Sequence, residues 1–164
     1  MRPAIPGLIC AALLAFTAAA APGRAQERKP AVREIAAVRD CAAKYKDNLD
    51  DGERHCLFSL VAQPCIDRKG AGGTDSNATD CYRLEAAIWD QLLNDNYKAL
   101  LATLDAEQIS KARAMQSAWI AYRDTTCQFY DDKIQGSMAI SMHAACDARE
   151  TARRAMLLAF FSRL

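Results

Sequence analysis

Apolar side chains recur along this chain at spacings of three and four residues, and no segment alternates cleanly at period two. That spacing gathers apolar groups on one face of a helix, so the pattern predicts an all-α protein. A first helix is expected from about Ala31 to Lys46, with Val32, Ile35, Ala36, Val38 and Ala42 apolar, broken by Asp47-Asn48. A second runs from about Asp50 to Ala62 and stops near Pro64, where a helix interior would lose a hydrogen bond and gain a clash. Gly70 to Thr79 reads as a surface loop. Thr79 or Asp80 then caps a long helix to about Leu104, with a stripe of Tyr82, Trp89, Leu93, Tyr97, Leu100 and Leu104. Asp105 opens a fourth helix carrying Ile109, Ala112, Met115, Trp119, Tyr122 and Cys127. Gly136-Ser137 turns the chain into a fifth, with Met142, Ala145, Arg149, Ala152, Met156 and Ala159. All of these are core stripes, and none needs a cofactor to explain it.

The N-terminus follows a different pattern. Arg2 precedes a largely apolar run from Leu8 to Ala21, and Gly23-Arg24-Ala25 places small residues at the −3 and −1 positions of a cleavage site before Gln26. This is the layout of an export signal over residues 1–25, with cleavage after Ala20 or Ala21 as a close alternative. Residues 26–164 then form one domain, its core spanning about 41–158. The apolar run is short for a membrane span of ~20 residues, and no later segment could cross a bilayer, so no membrane association is expected after cleavage.

Charge narrows the partners. Without Arg2 and Arg24, 19 Lys+Arg stand against 20 Asp+Glu. A near-neutral surface with interspersed signs gives no electrostatic case for nucleic acid. Six of the seven cysteines, Cys41, Cys56, Cys65, Cys81, Cys127 and Cys146, follow the export segment, while Cys10 lies inside it. An even set behind an export signal implies disulfides and a periplasmic or secreted location.

Six cysteines allow 15 pairings, but helix geometry narrows them. Facing residues of an antiparallel helical hairpin are about equidistant from its turn. Cys127 and Cys146 are centred on Gly136-Ser137, Cys41 and Cys56 on Asn48-Leu49, and Cys65 and Cys81 flank the glycine loop. A variant linking Cys56 to Cys65 and Cys41 to Cys81 is equally open. The fold class is thus a small antiparallel helical domain with hairpins stapled by disulfides.

Catalytic signatures are sparse. His55 and His143 lie at no metal-ligand spacing with each other or with a free cysteine, and there is no nucleophile elbow, phosphate loop or H-E-x-x-H motif. The chain reads as a binding protein with no catalytic residue, metal or cofactor. Arg123-Asp124 precedes Cys127, and Arg149 falls on the stripe of the facing helix. An ion pair between Asp124 and Arg149, fixing helix register, is expected.

Three segments are more specific than the pattern around them. They are Cys56 to Cys65 (CLFSLVAQPC), Cys81 to Asn94 (CYRLEAAIWDQLLN) followed by Tyr97, and Gln116 to Cys127 (QSAWIAYRDTTC). Together with Gly136-Ser137, Cys146, Thr151, Arg154 and Leu158, they resemble the LprI-like family, named for a lysozyme inhibitor. The third segment resembles the family's glutamine–x–x–tryptophan, aromatic–arginine–aspartate, x–x–cysteine signature. Ser117 stands where the family often has arginine, and Phe58 where it often has glycine. The resemblance implies an exported, disulfide-linked helical domain that binds lysozyme or another envelope protein, or a structural or interaction module without inhibitor activity. An envelope-polymer hydrolase is the remote third class. A lysozyme cleft holds two carboxylates, and a loop tethered by Cys65 and Cys81 that presents Arg68 and Lys69 would suit it. The hinge from Lys133 to Ser137 is the rival contact surface.

Overall fold

A computed structural model of the chain describes residues 28–69 and 75–164, with side chains for 28–68 and 77–164. The expected export segment with Cys10, the side chain of Lys69 and the glycine stretch 70–74 lie outside the described residues. Within them the chain is all helical, with no strand. The elements are α1 (Val32–Lys44), α2 (Leu49–Cys56), α3 (Ala62–Lys69), α4 (Asp75–Leu101), α5 (Ala106–Ile134) and α6 (Ser137–Phe161).

Local chemistry explains where the helices begin. The Asn48 side chain accepts the Asp51 N–H at 3.1 Å and caps α2. Asp105 accepts the Gln108 N–H at 2.8 Å while Gln108 returns a bond to the Asp105 N–H at 2.9 Å, a reciprocal cap that fixes the start of α5. Short turns join α4 to α5 and α5 to α6, so these three long helices run up, down and up, and α4 and α6 lie parallel. The helix α6 is the centre of the molecule, packing against α4, α5 and α2. Its Ala148, Ala152 and Ala155 are fully buried, and such small side chains let neighbouring helices approach closely. Val38, Ile88, Trp89 and Leu158 fill the core around them. Gly52 of α2 permits another close approach, since a Cβ there would lie 2.7 Å from the Met156 sulfur.

The cysteines bridge Cys41 to Cys56, Cys65 to Cys81 and Cys127 to Cys146, with Cα–Cα distances of 5.7, 5.7 and 5.5 Å. The three bridges join α1 to α2, α3 to α4, and α5 to α6.

Two helix boundaries differ from the sequence reading. The expected second helix splits, because the chain turns over residues 57–61 and starts again as α3. Pro64 lies in the first turn of α3, where its missing N–H leaves no broken bond. The turn places Phe58 at φ 64°, the left-handed region where glycine is at ease. This is the position at which the resembled family often carries glycine. The second difference is at α4, which begins at Asp75, inside the expected loop. Asp, Ser and Asn are favourable in and before a first turn, and the Cys65–Cys81 bridge anchors this end.

The split at 57–61 is held by one distant side chain. Glu85 of α4 is fully buried. Its Oε1 accepts the Phe58 N–H at 2.7 Å and the Trp89 indole N–H at 3.2 Å, and its Oε2 accepts the Ala62 N–H at 2.8 Å. A carboxylate therefore sits at the positive end of α3. Burial pushes the Glu85 carboxyl above its ordinary range, against the opposing pull of these three N–H donors.

Candidate functional site at the α5–α6 hairpin tip

The turn between α5 and α6 is two residues long. Gly136 takes φ 80° and ψ −169°, and Gln135 before it takes φ 61° and ψ 154°. Glycine reaches this region freely, but for glutamine it stores about 1–3 kcal/mol of backbone strain. Below the turn, the buried Cys127–Cys146 bridge locks the two helices together.

Between turn and bridge, His143 of α6 sits between two carboxylates. Its Nδ1 lies 2.6 Å from Asp131 of α5, and its Nε2 lies 3.4 Å from Asp147, one turn further along α6. Burial raises the Asp147 carboxyl above its ordinary value, opposed by His143, Arg123 and Arg83 and reinforced by Asp124. A cleft of about 530 Å³ opens here, lined by Arg83 from α4, Asp131 from α5, and Gly136, Ile140, His143 and Asp147 at the α6 end. Ile140 of its lining is 51% exposed, Met138 beside the turn 57% and Phe129 on α5 63%; Ile120 and Tyr122, further along α5 from the turn, are exposed as well. Several exposed apolar groups on one hairpin mark a candidate contact surface.

A second cluster ties α5 to α6 further from the tip. Gln116 Oε1 accepts a hydrogen bond from Arg154 Nε at 2.9 Å, with both residues buried. Two guanidinium groups approach the Trp119 ring, Arg123 at 5.0 Å and Arg154 at 5.7 Å, a favourable cation–π arrangement. Desolvation lowers the Arg154 pKa. The glutamine, tryptophan and arginine of the third sequence segment thus act in one structural contact.

The expected ion pair between Asp124 and Arg149 does not form. Asp124 pairs with its neighbour Arg123 at 2.7 Å, and Arg149 lies 3.5 Å from Glu150. The reason is rotational: Asp124 lies three residues before the bridged Cys127 and Arg149 three after the bridged Cys146, and at 3.6 residues per turn these offsets put them on opposite sides of the α5–α6 seam. Arg153 makes the longer-range connection, reaching Glu53 of α2 at 2.7 Å and Glu150 at 3.1 Å. His55 is an exposed residue stacked on Tyr45 at 4.9 Å.

Arg68 is exposed on α3. Arg83, two residues past Cys81, lines the same cleft as Gly136, so the Cys65–Cys81 bridge and the α5–α6 turn share one end of the bundle. The His143 cluster was missed in sequence. Its only local signal is the i, i+4 spacing to Asp147; Asp131 belongs to the other helix.

Fold and site define a small, disulfide-stapled, all-α domain with a polar cleft at one end and exposed apolar groups on the α5–α6 hairpin. The family described as lysozyme inhibitor LprI matches residues 65–158, more than half of the chain, and the chain belongs to that family. No curated protein and no solved structure matches it.

Proposed function

We propose that this protein is exported to the periplasm or beyond and inhibits lysozyme by binding, with the α5–α6 tip as its contact surface. The observation that carries this reading is the exposure of Phe129, Met138 and Ile140 on a covalently locked, strained hairpin in a chain of the lysozyme-inhibitor family. Strain of this kind concentrates at functional sites, and apolar anchors supply most interface energy. Three disulfides favour an oxidising compartment. Among the described residues, no helix is long and apolar enough to cross a membrane.

The test is a lysozyme lysis assay with purified, oxidised protein. Wild type should inhibit, and Met138→Asp/Ile140→Asp should weaken inhibition at least about tenfold, the loss of one good anchor, without lowering the unfolding midpoint. Arg68→Ala/Lys69→Ala should have the smaller effect; the reverse ranking moves the contact to the Cys65–Cys81 segment. No inhibition by wild type overturns the activity and leaves an envelope interaction module. Export is checked by fractionation and by a mature N-terminus near Gln26.

A further inference from the structure

A second concavity lies away from the tip, where α1 crosses α4 and α6. It holds about 250 Å³, slightly below the ~300–1,000 Å³ usual for small-molecule sites. Its floor is apolar, formed by Trp89 and Leu92 of α4 and Met156 of α6, and the alanines Ala42, Ala155 and Ala159 leave the space open.

The rim is basic and uneven. At one end Arg39 faces Asp95 at 3.4 Å, so the charges there largely cancel. At the other end Lys46 and Arg163 come together, with Arg163 Nη2 donating to the Lys46 carbonyl at 2.5 Å. Arg163 also donates to the Ala159 carbonyl at 2.7 Å and lies 3.7 Å from the exposed Asp47, and the Lys46 ammonium has no carboxylate partner among the described residues. An apolar trough with a net positive charge at one end complements an amphiphile with one anionic head. The volume is too small for a two-chain lipid.

From this geometry we infer that the α1–α4–α6 groove binds a medium-chain carboxylate, its acyl chain on the Trp89–Met156 floor and its head between Lys46 and Arg163. This site is independent of the lysozyme reading. The ligand would also fasten α1, which the Cys41–Cys56 bridge cross-links to α2.

Calorimetric titration of the purified, oxidised protein with octanoate and 1-octanol tests it. Octanoate should bind saturably at one site, and 1-octanol several-fold more weakly. Lys46→Glu, on the surface, should weaken octanoate about fivefold, the scale of one exposed charge contact, and leave 1-octanol unchanged. Ala159→Phe, which fills the trough, should abolish both. No saturable octanoate binding, equal affinity for the alcohol, or octanoate binding indifferent to Lys46→Glu would each overturn the proposal. Because Lys46→Glu touches no core contact, the test survives even if Ala159→Phe does not fold.

Discussion

Arg154 Nε and Gln116 Oε1 meet at 2.9 Å between α6 and α5, and both residues are buried. Among the described residues Arg154 has no carboxylate beside it and its Nη2 finds no partner; its charge is met by an amide oxygen and by the Trp119 ring at 5.7 Å. A cation held this way depends heavily on its one good acceptor. Gln116→Leu should therefore destabilise the protein by about 2–3 kcal/mol, as expected for a lost bond to a charged group. Arg154→Met should cost less, and Gln116→Leu/Arg154→Met should recover most of the single-variant loss, because the desolvated charge is gone. Urea unfolding of the three variants measures this coupling.

Glu85 makes the stability depend on pH. Its folded-state pKa is raised above the ordinary 4.5, chiefly by burial. A group raised in this way stabilises the fold fully below its unfolded pKa, and that contribution is lost as pH rises through the folded value. Glu85→Gln should flatten the unfolding midpoint across this window, relative to wild type. Asp147, also raised by burial, leaves a residual slope of the same sign. On the alkaline side Glu85→Gln also loses an acceptor for the Phe58, Ala62 or Trp89 N–H, an opposing cost of about 1–3 kcal/mol.

The Cys127–Cys146 bridge encloses a sequence separation of 19. Replacing both cysteines with alanine should remove about 3 kcal/mol by the chain-entropy argument. Hydrogen exchange should rise first in residues 128–145, because the tip beyond the bridge keeps few core contacts, while α4 stays protected.

Gln135→Gly tests the strain at the turn. Relief of φ 61° and ψ 154° should outweigh glycine's extra chain entropy and stabilise the protein by about 1 kcal/mol. A thermal melt suffices. Lysozyme inhibition measured on the same variant shows whether the strained tip is used in binding.

Much of this fold was legible in the chain. The period of three and four fixes helices, Asp105 and Gln108 mark the start of α5 by local capping, and Gly136 marks the hairpin. The cysteine positions relative to those turns fit the bridges that form. These features rest on interactions within a few residues of each other, or on covalent reach across a tight turn.

The remainder depends on contacts between distant segments. The break at Phe58 is held by Glu85, 27 residues away, and Pro64 reads as a stop only until that carboxylate starts a new helix beside it. Asp124 and Arg149 are equally distant from the turn, yet their helical offsets from the Cys127–Cys146 bridge put them on opposite sides of the seam. Asp131 and His143 meet only because α5 folds back onto α6. Sequence by itself thus determined the helical class, the cysteine framework and the family resemblance. Tertiary packing alone decided which polar groups are buried, which apolar groups stay outside, and where the two clefts open, because each requires surfaces that no single helix contains.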